Sequence, residues 1–290
     1  MLKPFDLFMP DTLKEAFDLM EKHKDAKVVA GGSDVFVLMH KGEEHPCMID
    51  IKNIKELQGF ACSASLGMKI GALTKLCELE RSDFVQKYYP ALADAASKMA
   101  SIQVRNKGTV GGNICNASPA ADTAGPLYIY DATVEIVSRS GPRIVAITDF
   151  FTGPKKTCLK PGELVAQITL PAPTPNSGSA YQKLMKRGAM EIGIMSTGVK
   201  VAVDKDGICV LARISLSAVN PTPIRATVAE EYLVGKKLTA ETIGHAAELA
   251  YGIACPLTWR NCEEWSKDMV LVFVPQALDH AIKRMQKGAF

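Results

Sequence analysis

The sequence predicts a mixed helix-and-strand protein in two domains, and three observations lead there. The chain has 290 residues, whereas compact domains average roughly 150. Past its middle, Pro171, Pro173 and Pro175 followed by Asn176-Ser177-Gly178-Ser179 form an extended linker. Before that stretch helical spacing gives way to strand patterns, and after it strand patterns precede helical ones.

Thr12-Leu13-Lys14-Glu15 is a capping-box pattern, and Leu13, Ala16, Phe17 and Met20 recur at helical spacing, so a first helix is expected over residues 12–21. Residues 27–30 read as a short buried strand broken by Gly31-Gly32, residues 35–40 fit helix or strand, and 47–51 read as another strand. The opening segment is therefore a small α/β unit with a glycine turn after its first strand. A short strand follows at 69–70, with helices at 74–79 and 90–100, the latter carrying Ala91, Leu92, Ala95, Ala96 and Met99 on one face. Residues 101–126 are rich in Gly, Asn, Ser and Thr and have no strong period. A structureless stretch of ~20 residues inside a compact domain is functional or disordered, and Ile102, Val104, Val110 and Ile114 speak against disorder. Residues 127–138, 144–147 and 163–170 read as strands of an antiparallel sheet. Beyond the linker, 199–203 and 208–219 are strand-like, the second with a period of two through Val210, Ala212, Ile214, Leu216 and Ala218. Helices are expected at 228–233 and 240–251, and a last helix over 261–286 that Pro275 should break or kink.

Composition excludes several function classes. The net charge of +3 arises from 34 basic and 31 acidic residues without a basic run, too weak a field for nucleic acid. None of the eight cysteines stands in a Cys-x-x-Cys pair, so zinc and iron–sulfur spacings are absent. They read as reduced, mostly buried thiols of a cytoplasmic protein. The N-terminus lacks a basic start and a long apolar stretch, and no apolar run nears the ~18 residues of a membrane span.

Three segments could carry chemistry. In Val28-Val29-Ala30-Gly31-Gly32-Ser33-Asp34-Val35 the glycines allow close backbone approach, and successive N–H groups could form an anion nest for a diphosphate. The segment is neither G-x-G-x-x-G nor a P-loop, and alone it reads as an ordinary turn. The second, Thr109 to Asp122, combines Gly111-Gly112 with donors on Thr109, Asn113, Asn116 and Ser118, and an acceptor in Asp122. Together the two glycine segments leave the two sides of one diphosphate and a pair of structural loops as open alternatives. The third is Lys183 with Lys186 and Arg187, which on residues alone reads as a solvated charge cluster. No nucleophile, metal site or acid–base pair stands at a recognisable spacing, so a cofactor would have to supply any bond-breaking chemistry.

These segments, in this order and separation, resemble the flavoprotein medium chains of the molybdenum hydroxylases, the xanthine dehydrogenase and carbon monoxide dehydrogenase family. The resemblance runs through Ala30 to Asp34, Gln103-Val104-Arg105, Thr109 to Asn113, Ser118 to Asp122, Gly162-Glu163-Leu164, Leu170-Pro171 and Lys183. Thr258-Trp259-Arg260 with Glu264-Trp265 is most similar to bacterial xanthine dehydrogenase flavin subunits. The resemblance implies an α+β fold: a two-subdomain FAD-binding domain over 1–174 (subdomains about 1–53 and 54–174), then a smaller domain of antiparallel sheet and helices over 175–290. It implies that Val28, Val29, Ala30, Gly31, Gly32, Ser33, Asp34 and Val35, with Thr109, Gly111, Gly112 and Asn113, embrace the FAD diphosphate. Asp122 would bond the ribose or adenine end, Met99, Leu164 and Val165 would pack apolar groups on the cofactor, Lys183 would lie near the flavin, and Ile192 near its ring. The cysteine-bearing loop by which one branch binds an extra cluster is missing.

The implied function is an electron-transfer step with no catalytic side chain in this chain. Substrate would be hydroxylated at a molybdopterin cofactor on a large subunit. Electrons would pass through [2Fe–2S] clusters on a small subunit to FAD here and leave to an acceptor such as NAD. The similarity at 258–260 tilts the expected substrate toward xanthine and purines, with nicotinate, an aldehyde, an aromatic thioester or carbon monoxide as alternatives. A flavin-free scaffold subunit is the alternative of another class.

Overall fold

Helices and strands alternate at the N-terminus and segregate after it, the α+β arrangement expected; the computed structural model describes residues 3–256 and 263–288. The opening unit runs β1 (Asp6–Phe8), α1 (Leu13–Lys22), β2 (Lys27–Val29), α2 (Val35–His40) and β3 (Cys47–Asp50). Its strands are parallel in the order β1-β3-β2, with Leu7 opposite Met48 and Val28 opposite Ile49. Thr12 caps α1 by accepting from the N–H of Glu15 at 3.2 Å, but Glu15 turns its carboxylate to the N–H of Asp11 rather than closing the box on Thr12. Residues 35–40 are helical because Val35 and Met39, one turn apart, both reach the small core of Val29 and Met48. The three residues of β1 are too few to show a period and escaped the sequence reading.

A single 3-10 turn then leads to β4 (Phe60–Ser63), β5 (Gly67–Gly71) and six short helices: α3 (Leu76–Arg81), α4 (Asp83–Tyr88), α5 (Pro90–Ser97), α6 (Ile102–Arg105), α7 (Val110–Cys115) and α8 (Ala124–Ile129). After them come β6 (Thr133–Ser138), β7 (Gly141–Ala146), α9 (Ile147–Phe150), the hairpin β8 (Phe151–Gly153) and β9 (Lys156–Thr157), and β10 (Leu164–Leu170). Strands β4, β5, β6, β7 and β10 form an antiparallel sheet in the order β4-β5-β10-β6-β7. The stretch 101–126 is thus helical rather than structureless. Its helices are four to six residues long, too short for a period. Hydroxyls begin two of them: Ser101 accepts from the N–H of Val104 at 3.3 Å and Thr109 from that of Gly112 at 3.0 Å. The expected strand at 127–138 begins only at Thr133, after Asp131 breaks the chain at φ +51°.

The C-terminal layer consists of β11 (Ser177–Leu184), β12 (Met195–Val203), β13 (Cys209–Ser217) and β14 (Ile224–Arg225), antiparallel and in sequential order, with α10 (Thr227–Leu233), α11 (Ala240–Ile253), α12 (Glu263–Asp268) and α13 (Val270–Gln286). Val199, Val201, Ile214 and Leu216 of the sheet share a core with Ala246, Ala250, Val274 and Leu278 of the helices. The sequence linker is shorter than expected. Ser177 and Ser179 are buried strand residues, held by bonds from the Ser177 hydroxyl to the carbonyl of Thr174 (2.6 Å) and between Ser179 and Tyr130 (2.6 Å). Pro275 does not end α13 but sits in its second turn; the carbonyl left without a donor belongs to Leu271, an exposed residue that water can reach. The tryptophan motif at 258–260 lies outside the described residues. The cysteines are less buried than expected: Cys77 and Cys209 are buried, but Cys62, Cys115 and Cys255 are exposed, and no disulfide joins the described ones.

Charged and small residues fasten this layer to the preceding one. Asp94 of α5 receives Arg284 of α13 through two nitrogens, at 2.6 and 2.9 Å, and the N–H of Tyr181 at 3.2 Å. Ser215 donates to the carbonyl of Gly125 at 3.0 Å. Lys200 on β12 is 8% exposed and donates to the Thr174 hydroxyl at 2.8 Å beneath the Tyr130 ring. Burial lowers its pKa to about 8 from 10.5, opposed by the charge of Asp131. The unfolded chain therefore holds a proton that the folded one releases, and stability rises with pH between about 8 and 10.5. Lys200→Met should be more stable than the parent at neutral pH by about 2 kcal/mol, after allowing for the lost bond to Thr174. That advantage should fade as pH approaches 10.5. Urea unfolding across this range measures it; a less stable Lys200→Met protein at neutral pH would show that the Thr174 bond outweighs burial.

Candidate cofactor site

The first glycine segment is the turn from β2 into α2. Gly32 takes φ +69°, which favours glycine, and a Cβ on Gly31 would fall 2.1 Å from the carbonyl oxygen of Lys107. The turn thus packs directly on residues 107–108, at the entry to the second glycine segment. Among the described residues, the N–H groups of Ser33 and Asp34 have no partner, and no side chain caps α2. They form a small nest of free donors of the kind that binds anions.

The second segment is fixed from behind. The N–H groups of Val110 and Gly111 donate to the carbonyls of Thr74 (3.0 Å) and Ala72 (2.9 Å). A Cβ on Gly111 would lie 2.6 Å from the Ala72 oxygen, so only glycine seats here. Gly112 faces outward, and a Cβ there would meet only the Thr109 hydroxyl, at 2.9 Å. The glycines therefore have two uses: Gly31 and Gly111 allow backbone to touch backbone, and Gly112 leaves an open surface. Such a cradle, which a Cβ would fill, fits a diphosphate-bearing cofactor.

Beside it lies a buried polar chain. The Asn113 amide reaches the sulfur of Met99 at 3.8 Å, and its oxygen accepts from Thr123 at 2.6 Å. Next to Thr123, the Asp122 carboxylate accepts from Tyr181 at 2.6 Å and from the Lys183 ammonium at 2.8 Å. Lys183 also donates to the carbonyl of Lys98 at 3.2 Å. Burial pushes the Asp122 carboxyl above the usual range, and the Lys183 charge with both hydrogen bonds opposes that push. Burial likewise raises the Tyr181 phenol well above its ordinary value and lowers the Lys98 ammonium, so Tyr181 is a neutral donor. Tyr181 and Lys183 meet Asp122 together because they are two residues apart on β11 and share a face.

The structure gathers most of the candidates. Val28, Val29 and Val35 turn their side chains into the cores behind the turn, leaving backbone for a ligand. Leu164 and Val165 are buried on β10 just before Ala166, whose carbonyl accepts from Ala72 at 2.9 Å beside Gly111. Ile192 is 68% exposed and joins no other candidate, although a Cβ on its neighbour Gly193 would lie 3.3 Å from the stem of Lys183. Lys186 and Arg187 are exposed, as a solvated cluster would be. Lys183 is not: its side chain is 1% exposed and ion-paired, which corrects the solvated reading. Sequence reasoning missed Tyr181 and Thr123. The period of two linking Tyr181 to Lys183 could have found the first; the partner of Thr123, Asn113, is too distant in sequence to signal. No group of side chains able to hold a metal occurs among the described residues, and no helix among them is long and apolar enough to cross a membrane.

Comparison with known proteins adds to this geometry. Residues 3–173 match the family described as the FAD binding domain in molybdopterin dehydrogenase, and residues 179–281 match the CO dehydrogenase flavoprotein C-terminal domain. The chain is 34% identical over 274 residues to the xanthine dehydrogenase FAD-binding subunit of Escherichia coli O157:H7, covering 93% of this chain and 94% of that protein. It is 36% identical over 248 residues to the nicotinate dehydrogenase FAD-subunit of Eubacterium barkeri, covering 83% of each. In structure it resembles a chain of the carbon monoxide dehydrogenase from Hydrogenophaga pseudoflava with a TM-score of 0.93 at 32% identity, covering 98% of this chain and 99% of that one.

Proposed function

We propose, from the premise that the chain belongs to the FAD-binding subunits of the molybdopterin dehydrogenases and is an oxidoreductase subunit, that it is the flavin station of a xanthine dehydrogenase-like complex. The observation that carries this reading is the first glycine turn seated on residues 107–108, just before the helix that bears Gly111 and Gly112, with free N–H donors at Ser33 and Asp34 and the open face of Gly112. In it FAD stands between [2Fe–2S] clusters on a small partner subunit and an acceptor such as NAD, and a large partner subunit bears the molybdopterin cofactor. The complex works in the cytoplasm.

The chemistry FAD supplies when bound is the uptake of single electrons and their release in pairs; the chain supplies position and field. The backbone of residues 31–34 and 109–113 would hold the diphosphate. Met99 would offer an apolar surface, and Asp122 and Lys183 a fixed pair of opposite charges that no solvent relaxes. Ile192, exposed on its loop, would come close to the cofactor. No side chain here gains or loses a proton as part of the reaction. The same reading divides the chain near residue 174, supported by the passage there from the five-stranded to the four-stranded sheet.

Purine as substrate class is supported by the similarity to a xanthine dehydrogenase subunit. Similar identity to a nicotinate dehydrogenase subunit supports a second reading with a different large subunit and the same flavin step. An absorbance spectrum of the purified chain with its co-purifying partners tests the proposal. Flavin bands, with FAD released on denaturation, are expected; a colourless protein that takes up no added FAD would leave a scaffold role. Reduction of the flavin by xanthine but not by nicotinate separates the two substrates.

A further inference from the structure

A buried arginine lies behind the site. Arg105, the last residue of α6, is 8% exposed, and its guanidinium spans two groups. On one side Glu80 of α3 takes it in a two-point pair, Nε to Oε2 at 2.8 Å and Nη2 to Oε1 at 3.1 Å. On the other, Nη1 donates to the carbonyl of Met99 at 3.0 Å and to that of Ala100 at 3.4 Å. A planar fork can hold both sides at once, which a lysine ammonium cannot.

The segment so held is strained. Between α5 and α6 the chain reverses at Ala100, with φ +42°, a left-handed conformation that a residue with a Cβ rarely adopts. Ser101 then begins α6, whose Val104 carbonyl accepts from the N–H of Gly108 at 2.6 Å. Gly108 adjoins the Lys107 carbonyl on which Gly31 rests. One short helix thus connects the strained turn bearing Met99 with the contact between the two glycine segments, and Arg105 closes the loop.

We propose that Arg105, clamped by Glu80, is a positioning residue of the cofactor site. It holds the strained turn at Ala100, and so keeps Met99 against Asn113 on the side of the site that Met99 forms. The inference rests on the FAD reading above. Without the fork, Ala100 relaxes out of the left-handed region and carries Met99 off Asn113.

The test measures FAD affinity by flavin fluorescence on the full chain, at a temperature where circular dichroism shows every variant folded. The parent must bind FAD; a parent that does not bind it overturns the FAD reading itself. In a binding parent, Arg105→Met should raise the Kd for FAD about 10- to 100-fold, the range for groups that support a binding residue from behind. Arg105→Lys should fall between, since it keeps the charge and loses the fork. Adding Ala100→Gly to Arg105→Met should recover much of the loss, because glycine takes φ +42° without a clamp. A role in stability alone would lower Tm and leave the Kd at the parent value, and that result overturns the proposal. If Arg105→Met does not fold, Glu80→Gln, which keeps the shape and weakens the clamp, decides by the same Kd.

Discussion

Gly112→Val is expected to leave the fold standing and empty the flavin site. The position is exposed, and a Cβ there meets only the Thr109 hydroxyl. The valine would turn that hydroxyl away from the N–H it caps, at a cost of about 1 kcal/mol, and add two methyl groups to the face the diphosphate would occupy. A folded protein with at most one-tenth of the parent's FAD content is the expected outcome, given close backbone approach as the reason for the glycine. Normal FAD content in a folded Gly112→Val protein would falsify the assignment of this turn. Gly111→Val makes the contrast: its Cβ would strike backbone at Ala72, so it should fail to fold rather than fail to bind.

Asp122→Ala should be among the most destabilising single changes in the molecule. It strips the partner from a Lys183 side chain that is 1% exposed and from the Tyr181 hydroxyl, and breaking such a buried pair costs about 3–5 kcal/mol. The double variant Asp122→Leu with Lys183→Met removes both charges and should recover much of that loss. Lys183→Met alone should lose less in acid than at neutral pH. Burial already pushes the Asp122 carboxyl up, and without the ammonium it folds more readily in its protonated form. Urea unfolding of the three proteins reads these differences; equal stabilities would mean that the pair is solvated rather than buried. FAD retention in the cold, where Asp122→Ala is still folded, reads the second role. Weakened retention is expected from a carboxylate facing the cofactor, and unchanged retention would leave Asp122 structural only.

The difference between these two experiments follows a division already present in the residues. Gly31, Gly32, Gly111 and Gly112 stand out in the sequence because glycine doublets with neighbouring donors are local signals, although only the first doublet is a turn and the second opens α7. Helix α1 was legible from its cap and spacing, and β13 from its period of two, since each is long enough to repeat its pattern. The helices α6, α7 and α8 were not, because four to six residues are too few to repeat a helical period. Pro275 is accommodated inside α13, where the carbonyl it frees belongs to Leu271 at the surface, and the expected 261–286 helix is divided at Met269 instead.

The sequence by itself determined the family, the α+β class and the order of the two glycine segments. All of these rest on residue type and local spacing, which survive in one dimension. Only the tertiary structure decided how those residues are used. It packs Gly31 on Lys107, turns Gly111 inward and Gly112 outward, buries Lys183 against Asp122, and places Arg105 between Glu80 and the carbonyl of Met99. Burial and hydrogen-bond partners depend on which distant segments meet, and the free energy of a charge depends on both. Lys183 and Lys186, three positions apart and chemically alike, therefore end in opposite environments, one sealed in an ion pair and one in water.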